Sequence, residues 1–237
     1  MEEIRPIAIA EVVAKLIEHA LSQKLTSTVY ARNLIKSNQP GFMKYMDSEI
    51  NLIKFRDKAY KLKIQVPRKQ KYVLFLDLKA AYDSVNHDIL FQKLEKFNID
   101  EDVINSIKKI YSSSILRLSP KSDLININQG VLQGSLISPI LFNLYINDLI
   151  EELSKIGYDV LGYADDIAVL CEDEYKLIEA IDIIQNWSTR NKILVNKKKS
   201  GIMVLNDTGV SITLVREYPI IKEYKYLGVM INNRLLP

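Results

Sequence analysis

Apolar and polar positions alternate along this chain in blocks that predict helices separated by short strands. Apolar residues recur at helical spacing in six segments: 9–23, 47–62, 88–97, 101–111, 138–153 and 174–191. Asp100 precedes the fourth segment and is a suitable N-terminal cap. Pro139 falls in the first turn of the fifth segment, where helix geometry tolerates proline. In the last segment the apolar stripe contains Trp187, and we expect that stripe to pack in the core.

Shorter apolar runs predict strands. The uninterrupted run at 72–76 is typical of a strand that is buried on both faces. Segments 160–163 and 167–171 predict a hairpin, because two charged residues fall between them. We expect further strands at 115–118, 124–128, 202–205, 211–215 and 224–231. The mixture predicts an α+β fold in which helices back an antiparallel sheet.

The predicted hairpin places two adjacent carboxylates, Asp165 and Asp166, within an apolar run from Val160 to Cys171. No Lys or Arg occurs between positions 155 and 176, so a neighbour along the chain cannot neutralise them. A buried, unpaired carboxylate costs several kcal/mol, which favours a divalent cation as the partner. An ordinary solvated turn is the alternative, and the dipeptide alone leaves it open.

A third carboxylate, Asp77, ends the strand predicted at 72–76 and needs the same explanation. If this strand and the hairpin are neighbours in one sheet, the three carboxylates converge. Such an oxygen donor set suits two Mg²⁺ ions. Two such metals support in-line phosphoryl transfer, so nucleotidyl transfer is the chemistry that the pattern favours.

Composition places the chain among globular proteins. With 237 residues and 48% hydrophobic content it can form one large domain or two subdomains. The formal charge of +3 is uninformative, but one stretch is strongly basic and contains a single acid, Asp57. Its cations are Lys54, Arg56, Lys58, Lys61, Lys63, Arg68, Lys69 and Lys71. This stretch can bind phosphates or can be a solvated helix face followed by a loop, and composition does not decide between the two.

Other side chains exclude several classes of site. A single cysteine, Cys171, rules out a disulfide within the chain and a cysteine-rich zinc site. His19 and His87 lack the spacing of metal ligands. The N-terminus has no signal-peptide pattern, and no apolar run approaches the length of a membrane span. We therefore expect an intracellular, soluble protein.

Several motifs occur in a characteristic order. They are FLDLKAAYDSVNHDIL (75–90), GVLQGSLISPILFNLYINDL (130–149), YADD (163–166), LVNKKKSG (194–201) and YKYLGVMI (224–231). In this order they resemble four palm motifs and the primer grip of reverse transcriptases, in particular those of non-LTR retrotransposons and group II introns. RPIAI (5–9) and QPGF (39–42) are similar to the finger motifs of that family. The resemblance covers most of the chain.

The resemblance implies roles for particular residues. Asp77, Asp165 and Asp166 correspond to the family's metal ligands, which hold two Mg²⁺ ions, with Mn²⁺ as a substitute. Tyr82 falls where the family keeps a steric gate against a ribose 2′-OH. The palm motif at 130–149 places its Gln-Gly pair beside the incoming nucleotide and the template; here the pair is Gln133–Gly134.

Three basic residues belong to the same predicted site. Lys199 falls near the incoming nucleotide, where a lysine can protonate or screen the leaving pyrophosphate. Arg5 opens the first finger motif and is expected to contact the nucleotide. After QPGF the family usually carries an arginine for the triphosphate, whereas here Met43 follows and Lys44 is the nearest cation.

The resemblance also implies the domain organisation and the function. Residues 1–71 correspond to helical fingers and 72–237 to a right-hand palm ending in the primer-grip hairpin, with finger elements interleaved at 112–135. The match ends before a thumb, which we expect a missing segment or a separate chain to supply. The predicted function is RNA-directed DNA polymerase, with an RNA template, a DNA or RNA primer and dNTPs as partners. A catalytically inactive RNA-binding or assembly module is the alternative. An RNA-dependent RNA polymerase is a weaker third interpretation, because Tyr82 and Ala164 favour the reverse transcriptases.

Overall fold

The computed structural model describes residues 11–35, 38–39, 41, 47–65, 69–113, 115–116, 125–126, 128–206 and 214–235. The helices in these residues are α1 (Val12–Ala31), α2 (Ser48–Ile64), α3 (His87–Lys96), α4 (Glu101–Ser113), α5 (Ser138–Lys155) and α6 (Glu174–Asn191). The strands are β1 (Lys71–Leu76), β2 (Ile115–Leu116), β3 (Ile125–Asn126), β4 (Asp159–Tyr163), β5 (Asp166–Cys171), β6 (Gly201–Leu205), β7 (Leu214–Val215), β8 (Tyr218–Ile221), β9 (Glu223–Tyr226) and β10 (Val229–Asn232).

The chain divides into two compact units. One contains residues 1–35 and 80–146, and the other contains residues 36–79 and 147–237. The second unit is built on a sheet in the order β4-β5-β1-β6-β8-β7. All its pairs are antiparallel except β6 with β8, which run parallel. The predicted α+β fold with a helix-backed antiparallel sheet is therefore confirmed, and the β6–β8 pair is the one parallel pair in this sheet.

Strand β1 is the centre of the second unit. All six of its residues are buried, as its uninterrupted apolar run predicts. On one face α2 contributes Phe55, whose ring lies 5.6 Å from that of Phe75 and 5.1 Å from that of Tyr226. Helix α6 also packs against the sheet, with Trp187 fully buried and its indole N–H donating to Asp148 at 2.8 Å. The sheet is thus fixed by large buried side chains.

The first unit is mainly helical and also contains the short β2–β3 pair. Lys24 on α1 pairs with Asp100 at 2.9 Å, and Arg32 donates to the carbonyl oxygen of Asn98 at 2.6 Å. Both bonds join α1 to the turn between α3 and α4. Asp100 also accepts the backbone N–H of Asp102 at 2.9 Å, which confirms its predicted capping role.

Three elements differ from the sequence predictions. Helix α1 continues to Ala31, well beyond the predicted end at 23. Strand β8 was not predicted. The segment 224–231 is a hairpin rather than one strand, because Leu227 and Gly228 both adopt positive φ, 50° and 83°, in the two-residue turn between Tyr226 and Val229. The parts of the predicted strands at 117–118, 124, 127 and 211–213 lie outside the described residues.

Within the described part of the chain, no helix is both long and apolar enough to cross a membrane.

Candidate active site

Asp77 lies directly after β1, and its backbone is held on both sides. Its N–H donates to the hydroxyl of Ser200 at 3.0 Å, and its carbonyl oxygen accepts the N–H of Asn196 at 2.8 Å. An isolated bridge between Leu78 and Val195 continues this contact. The turn formed by the LVNKKKSG motif therefore fixes the position of the first carboxylate.

The other two carboxylates lie on the β4–β5 hairpin. Tyr163 pairs with Asp166, which leaves Ala164 and Asp165 as a two-residue turn. Ala164 has φ of 55°, a left-handed conformation that costs a non-glycine residue on the order of 1 kcal/mol. Such strain persists only where surrounding contacts enforce it.

A short segment around the QPGF motif provides those contacts. The side-chain amide of Gln39 donates to the carbonyl oxygen of Ala164 at 3.3 Å, and the carbonyl oxygen of Asn38 accepts the N–H of Gly162 at 2.7 Å. Gly41 approaches so closely that a Cβ atom there would lie 2.4 Å from the backbone nitrogen of Ala164. The glycine of this motif is therefore required by close packing against the turn.

The strand register brings the acids together. Leu76 pairs with Ile167, so Asp77 and Asp166, each one residue further along, are neighbours at the end of the ladder. Burial, and then the charges of Asp165 and Asp77, raise the pKa of Asp166 from its ordinary value of 3.8 to about 6. The sequence analysis required β1 and the hairpin to be neighbours in one sheet, and they are. Negative charge therefore accumulates where β1 ends and β5 begins.

The donor chemistry of this cluster fits a hard divalent cation. All three side chains offer carboxylate oxygens, the ligands that Mg²⁺ prefers. A bound cation would relieve the repulsion that raises the pKa of Asp166. Among the described residues, however, no three His, Cys, Asp or Glu side chains already form a group able to hold a metal ion. The residues therefore suit the metal by type and proximity, without preformed coordination.

A tyrosine pair from the β9–β10 hairpin borders the acids. Tyr224 stacks on Phe75 with ring centres 4.4 Å apart, and burial followed by the charges of Asp166 and Asp77 raises the pKa of its hydroxyl. The hydroxyl of Tyr226 accepts from the side-chain amide of Asn51 at 3.3 Å. The YKYLGVMI motif is thus placed beside the carboxylates of its own unit.

Asn51 is a residue that the sequence analysis missed. It is fully buried on α2, and its amide donates both to Tyr226 and to the carbonyl oxygen of Gly162 at 3.3 Å. Asn51 thereby links three elements. They are α2, strand β4, which leads to the YADD turn, and the β9–β10 hairpin, which carries the tyrosine pair. The signal was available, because Asn51 interrupts an otherwise apolar stripe with Phe55 and Leu62.

The residues predicted to contact the nucleotide form a separate group in the first unit. The ring of Tyr82 stacks on Phe142 at 4.9 Å, and its carbonyl oxygen accepts the N–H of Val131 at 2.8 Å. Gly130, with φ of 88°, donates its N–H to the carbonyl oxygen of Val85 at 2.7 Å. A Cβ at Gly130 would approach the backbone of Asp83 to 3.0 Å. The first two palm motifs are therefore joined at this loop.

The remaining predicted residues vary in placement. Gln133 and Gly134 follow in the same loop; Gln133 is half-buried, and Gly134 is exposed with φ of 100°. Lys199 is exposed in the turn that follows Val195, and its backbone N–H donates to the carbonyl oxygen of Asn196 at 3.1 Å. Arg5 and Lys44 lie outside the described residues.

Several members of the basic stretch are engaged within the protein. Lys58 pairs with Asp159, and Lys61 pairs with Asp57 at 2.8 Å. The ammonium group of Lys63 donates to the carbonyl oxygen of Asn233 at 2.9 Å. These cations are therefore not all available to phosphates.

Carboxylates at the ends of adjacent antiparallel strands, in a helix-backed sheet bordered by a tyrosine hairpin, define the palm of a nucleic-acid polymerase. A family model described as reverse transcriptase (RNA-dependent DNA polymerase) matches residues 1–231. The chain belongs to this family.

Curated relatives agree with this assignment, and a solved structure shares the fold. A Pol polyprotein from the type-1 retrotransposable element R2 of Popillia japonica is 29% identical over 98% of this chain, and the RNA-directed DNA polymerase from the mobile element jockey of Drosophila melanogaster is 24% identical over 99%. The matches span 33% and 27% of those proteins. Apo telomerase from Candida tropicalis, truncated from its C-terminal domain, has the same fold, with a TM-score of 0.64 at 17% identity over 93% of this chain and 44% of that one.

Proposed function

We propose that this chain is the polymerase domain of a retrotransposon-type reverse transcriptase, which extends a primer 3′-OH with dNTPs on an RNA template. The observation that supports this most strongly is the shared position of Asp77 and Asp166 at the end of the β1–β5 ladder. The charge of Asp165 acts on the same point, since it contributes to the raised pKa of Asp166. The family membership and the R2 and jockey relatives support the template and substrate classes.

In this proposal Asp77, Asp165 and Asp166 hold two Mg²⁺ ions, for which Mn²⁺ can substitute. When bound, these ions activate the attacking oxygen and stabilise the leaving oxygen. The primer 3′-OH gives its proton to solvent and its oxygen forms a bond to the α-phosphorus of the dNTP, while the bond from that phosphorus to the bridging oxygen breaks and pyrophosphate leaves. Because the pKa of Asp166 is about 6, its carboxylate is ionised and able to bind a cation at neutral pH.

The other residues act on the nucleotide. The ring of Tyr82, fixed by stacking on Phe142, is proposed to exclude a ribose 2′-OH. Gln133 and Gly134 are proposed to shape the pocket beside the base and template. Lys199 is proposed to screen or protonate the pyrophosphate, since its exposed side chain projects from the turn that holds Asp77. Arg5 and Lys44 are proposed to contact the triphosphate on the strength of their motifs alone.

The test is Mg²⁺-dependent extension of a DNA primer on an RNA template, with dNTPs compared with NTPs. We expect DNA synthesis that falls more than about 100-fold in Asp165→Asn and in Asp166→Asn, because loss even of groups that only support metal ligands costs up to that factor. Glu172→Gln is the matched control, since Glu172 is an exposed acid just after β5. Appreciable extension by Asp165→Asn would remove the mechanism.

Metal binding has a readout that does not depend on synthesis. Mn²⁺ titration followed by electron paramagnetic resonance should show binding that Asp77→Asn and Asp166→Asn weaken and Glu172→Gln does not. If the unaltered protein binds RNA in a salt-sensitive way but neither binds Mn²⁺ nor extends the primer, an inactive RNA-binding module is the better interpretation.

A further inference from the structure

Helix α2 has a second, exposed stripe on the side opposite its buried one. Ile50, Ile53, Asp57, Tyr60 and Ile64 recur with alternating spacings of three and four residues. This spacing is the a and d seam of a coiled coil. The four non-acidic members are exposed: Ile53 by 67%, Tyr60 by 57%, Ile64 by 49% and Ile50 by 38%. A contiguous exposed stripe of large apolar residues marks an interaction surface.

The middle of this stripe opens onto a cavity of about 430 Å³. Its walls are Ile53, Arg56, Asp57 and Tyr60 from α2, and Arg234 and Leu235 from the turn after β10. That turn is fixed to the helix, because Lys63 donates to the carbonyl oxygen of Asn233 and Leu235 is only 5% exposed. One wall of this open surface pocket is therefore held in place, which lowers the ordering cost of binding a side chain there.

The positions that flank the seam are mostly basic. Lys54 and Lys61 occupy one flank; Arg56 and Lys63 occupy the other, together with Glu49. Lys61 is neutralised by Asp57. Within the described residues Lys54, Arg56 and Arg234 have no carboxylate partner. The surplus positive charge favours an acidic partner over a basic one.

Two other occupants fit less well. A second copy of α2 would bring basic flanks together in either orientation, and like charge across a seam disfavours pairing. Single-stranded nucleic acid binds through stacking of successive bases on aromatic rings and through cations, and Tyr60 is the one ring that the stripe offers. Aliphatic side chains at coiled-coil spacing are instead suited to another helix.

We propose that this stripe docks an amphipathic helix of a partner protein, with apolar side chains at its a and d positions and Glu or Asp at its flanking positions. Asp57, which pairs with Lys61 on the same helix, disfavours an apolar or acidic residue opposite it, as polar seam residues set register. The charges of Lys54, Arg56 and Arg234 select the acidic flanks. The surface is independent of the carboxylate cluster, so its test does not depend on polymerase activity.

The test uses the 237-residue protein and a fluorescent 21-residue helical peptide with Leu at a and d, one Lys facing Asp57, and Glu at e and g. The glutamates also prevent the peptide from pairing with itself. A control peptide carries Lys at e and g. Fluorescence anisotropy should show micromolar binding of the first peptide and at least about tenfold weaker binding of the second.

Variants then locate the site. Ile53→Ser and Tyr60→Ser should each weaken binding about tenfold or more, because these exposed side chains form the seam. Val12→Ser is the matched control, since Val12 is a 75% exposed apolar residue on α1. Arg56→Glu should weaken binding of the Glu-flanked peptide and strengthen that of the Lys-flanked one.

Five results would overturn the proposal. They are no binding of the Glu-flanked peptide, equal binding of both peptides, and insensitivity to Ile53→Ser. The fourth is concentration-dependent self-association, measured by sedimentation, that Ile53→Ser abolishes. Binding of labelled single-stranded RNA that requires Ile53 and Tyr60, in the absence of peptide binding, would assign the stripe to nucleic acid instead.

Discussion

At the scale of single residues, the most informative group is the carboxylate of Asp166. It is half-buried beside two other acids, and its pKa is raised to about 6. In the unfolded chain the same group titrates near 3.8. A carboxylate whose pKa rises on folding destabilises the fold when it is ionised. The residue is therefore retained at a cost in stability, as expected of a group kept for function.

Replacing Asp166 with Asn should abolish primer extension and stabilise the metal-free protein. At pH 7 we expect a gain of about 1–2 kcal/mol in the free energy of unfolding, after allowance for solvent screening of a partly exposed group. The measurement is urea unfolding in the presence of a chelator.

The loss of folding stability caused by the ionised Asp166 carboxylate depends on pH. This loss is absent below the unfolded pKa near 3.8, grows as pH rises, and is complete above about 6. The stabilities of Asp166→Asn and the unaltered protein should therefore converge at low pH and differ most above pH 6. Glu172→Gln should show no such divergence, and a constant difference at all pH values would contradict the assignment of the raised pKa.

Tyr82 should control the choice of sugar. Its ring is held by Phe142 at 4.9 Å, so Tyr82→Ala opens the space that we assign to a 2′-OH. We expect the ratio of NTP to dNTP incorporation to rise by about tenfold or more, the effect of one steric contact of 1–3 kcal/mol. Single-nucleotide extension kinetics measure this ratio. Tyr82→Phe, which keeps the ring, should retain the original ratio, and a change there would indicate that the hydroxyl discriminates.

At the scale of elements, the YADD hairpin depends on its neighbours. Its turn contains a strained Ala164, and two separate segments hold it. Gly41 and Gln39 contact the turn itself, and Asn51 from α2 binds the strand that leads into it. These contacts decide where Asp165 and Asp166 lie.

Gly41→Ala should displace this turn. The added methyl group would lie 2.4 Å from the backbone nitrogen of Ala164, and the turn cannot yield without moving the acids. We expect extension to fall more than about tenfold, as misplacement of about 1 Å does at an active site. Gly157→Ala is the comparison, because Gly157 has open space around it and, unlike Gly41, a positive φ of 97°, so this variant adds backbone strain without a clash. Equal losses in both variants would mean that general destabilisation, rather than the clash with the turn, is responsible.

Asn51→Leu should weaken the contact of α2 with the β4–β5 and β9–β10 hairpins, because it removes two hydrogen bonds. The change keeps the branching and the number of heavy atoms in the side chain but leaves the carbonyl oxygen of Gly162 without this donor, so we expect a loss of about 1–3 kcal/mol in the free energy of unfolding. Extension should slow as well. Urea unfolding and primer extension measure the two effects, and Asn105→Leu on the exposed face of α4 is the matched surface change. Unchanged extension would show that Asn51 only stabilises the fold.

At the scale of the whole molecule, the sheet should form the most stable part of the second unit. Strand β1 is bonded on both sides, to β5 and β6, and is completely buried. Its amide hydrogens should exchange last in native-state hydrogen exchange, because only global opening exposes them. The short edge strand β7 should exchange early. Early exchange of β1 would contradict this order of stability.

The sequence predicted the features that depend on local pattern. The buried run before Asp77, the hairpin around Asp165 and the helices α2 to α6 all follow from periodicity that a few neighbouring residues express. The motif order identified the family, which the match over residues 1–231 confirms. The missed strand β8 and the undivided segment 224–231 show the limit of such patterns, since pairing partners and positive φ values were not visible in them.

What the sequence by itself determined is therefore the set of chemical groups and the elements that hold them. Only the tertiary structure decided that β1 and β5 pair in the register that makes Asp77 and Asp166 neighbours, because strand pairing is set by contacts between distant parts of the chain. Only the tertiary structure showed the close approach of Gly41 to the YADD turn, the buried hydrogen bonds of Asn51 and the exposure of the stripe on α2. These are properties of the packed molecule, and a local stretch of sequence does not encode them.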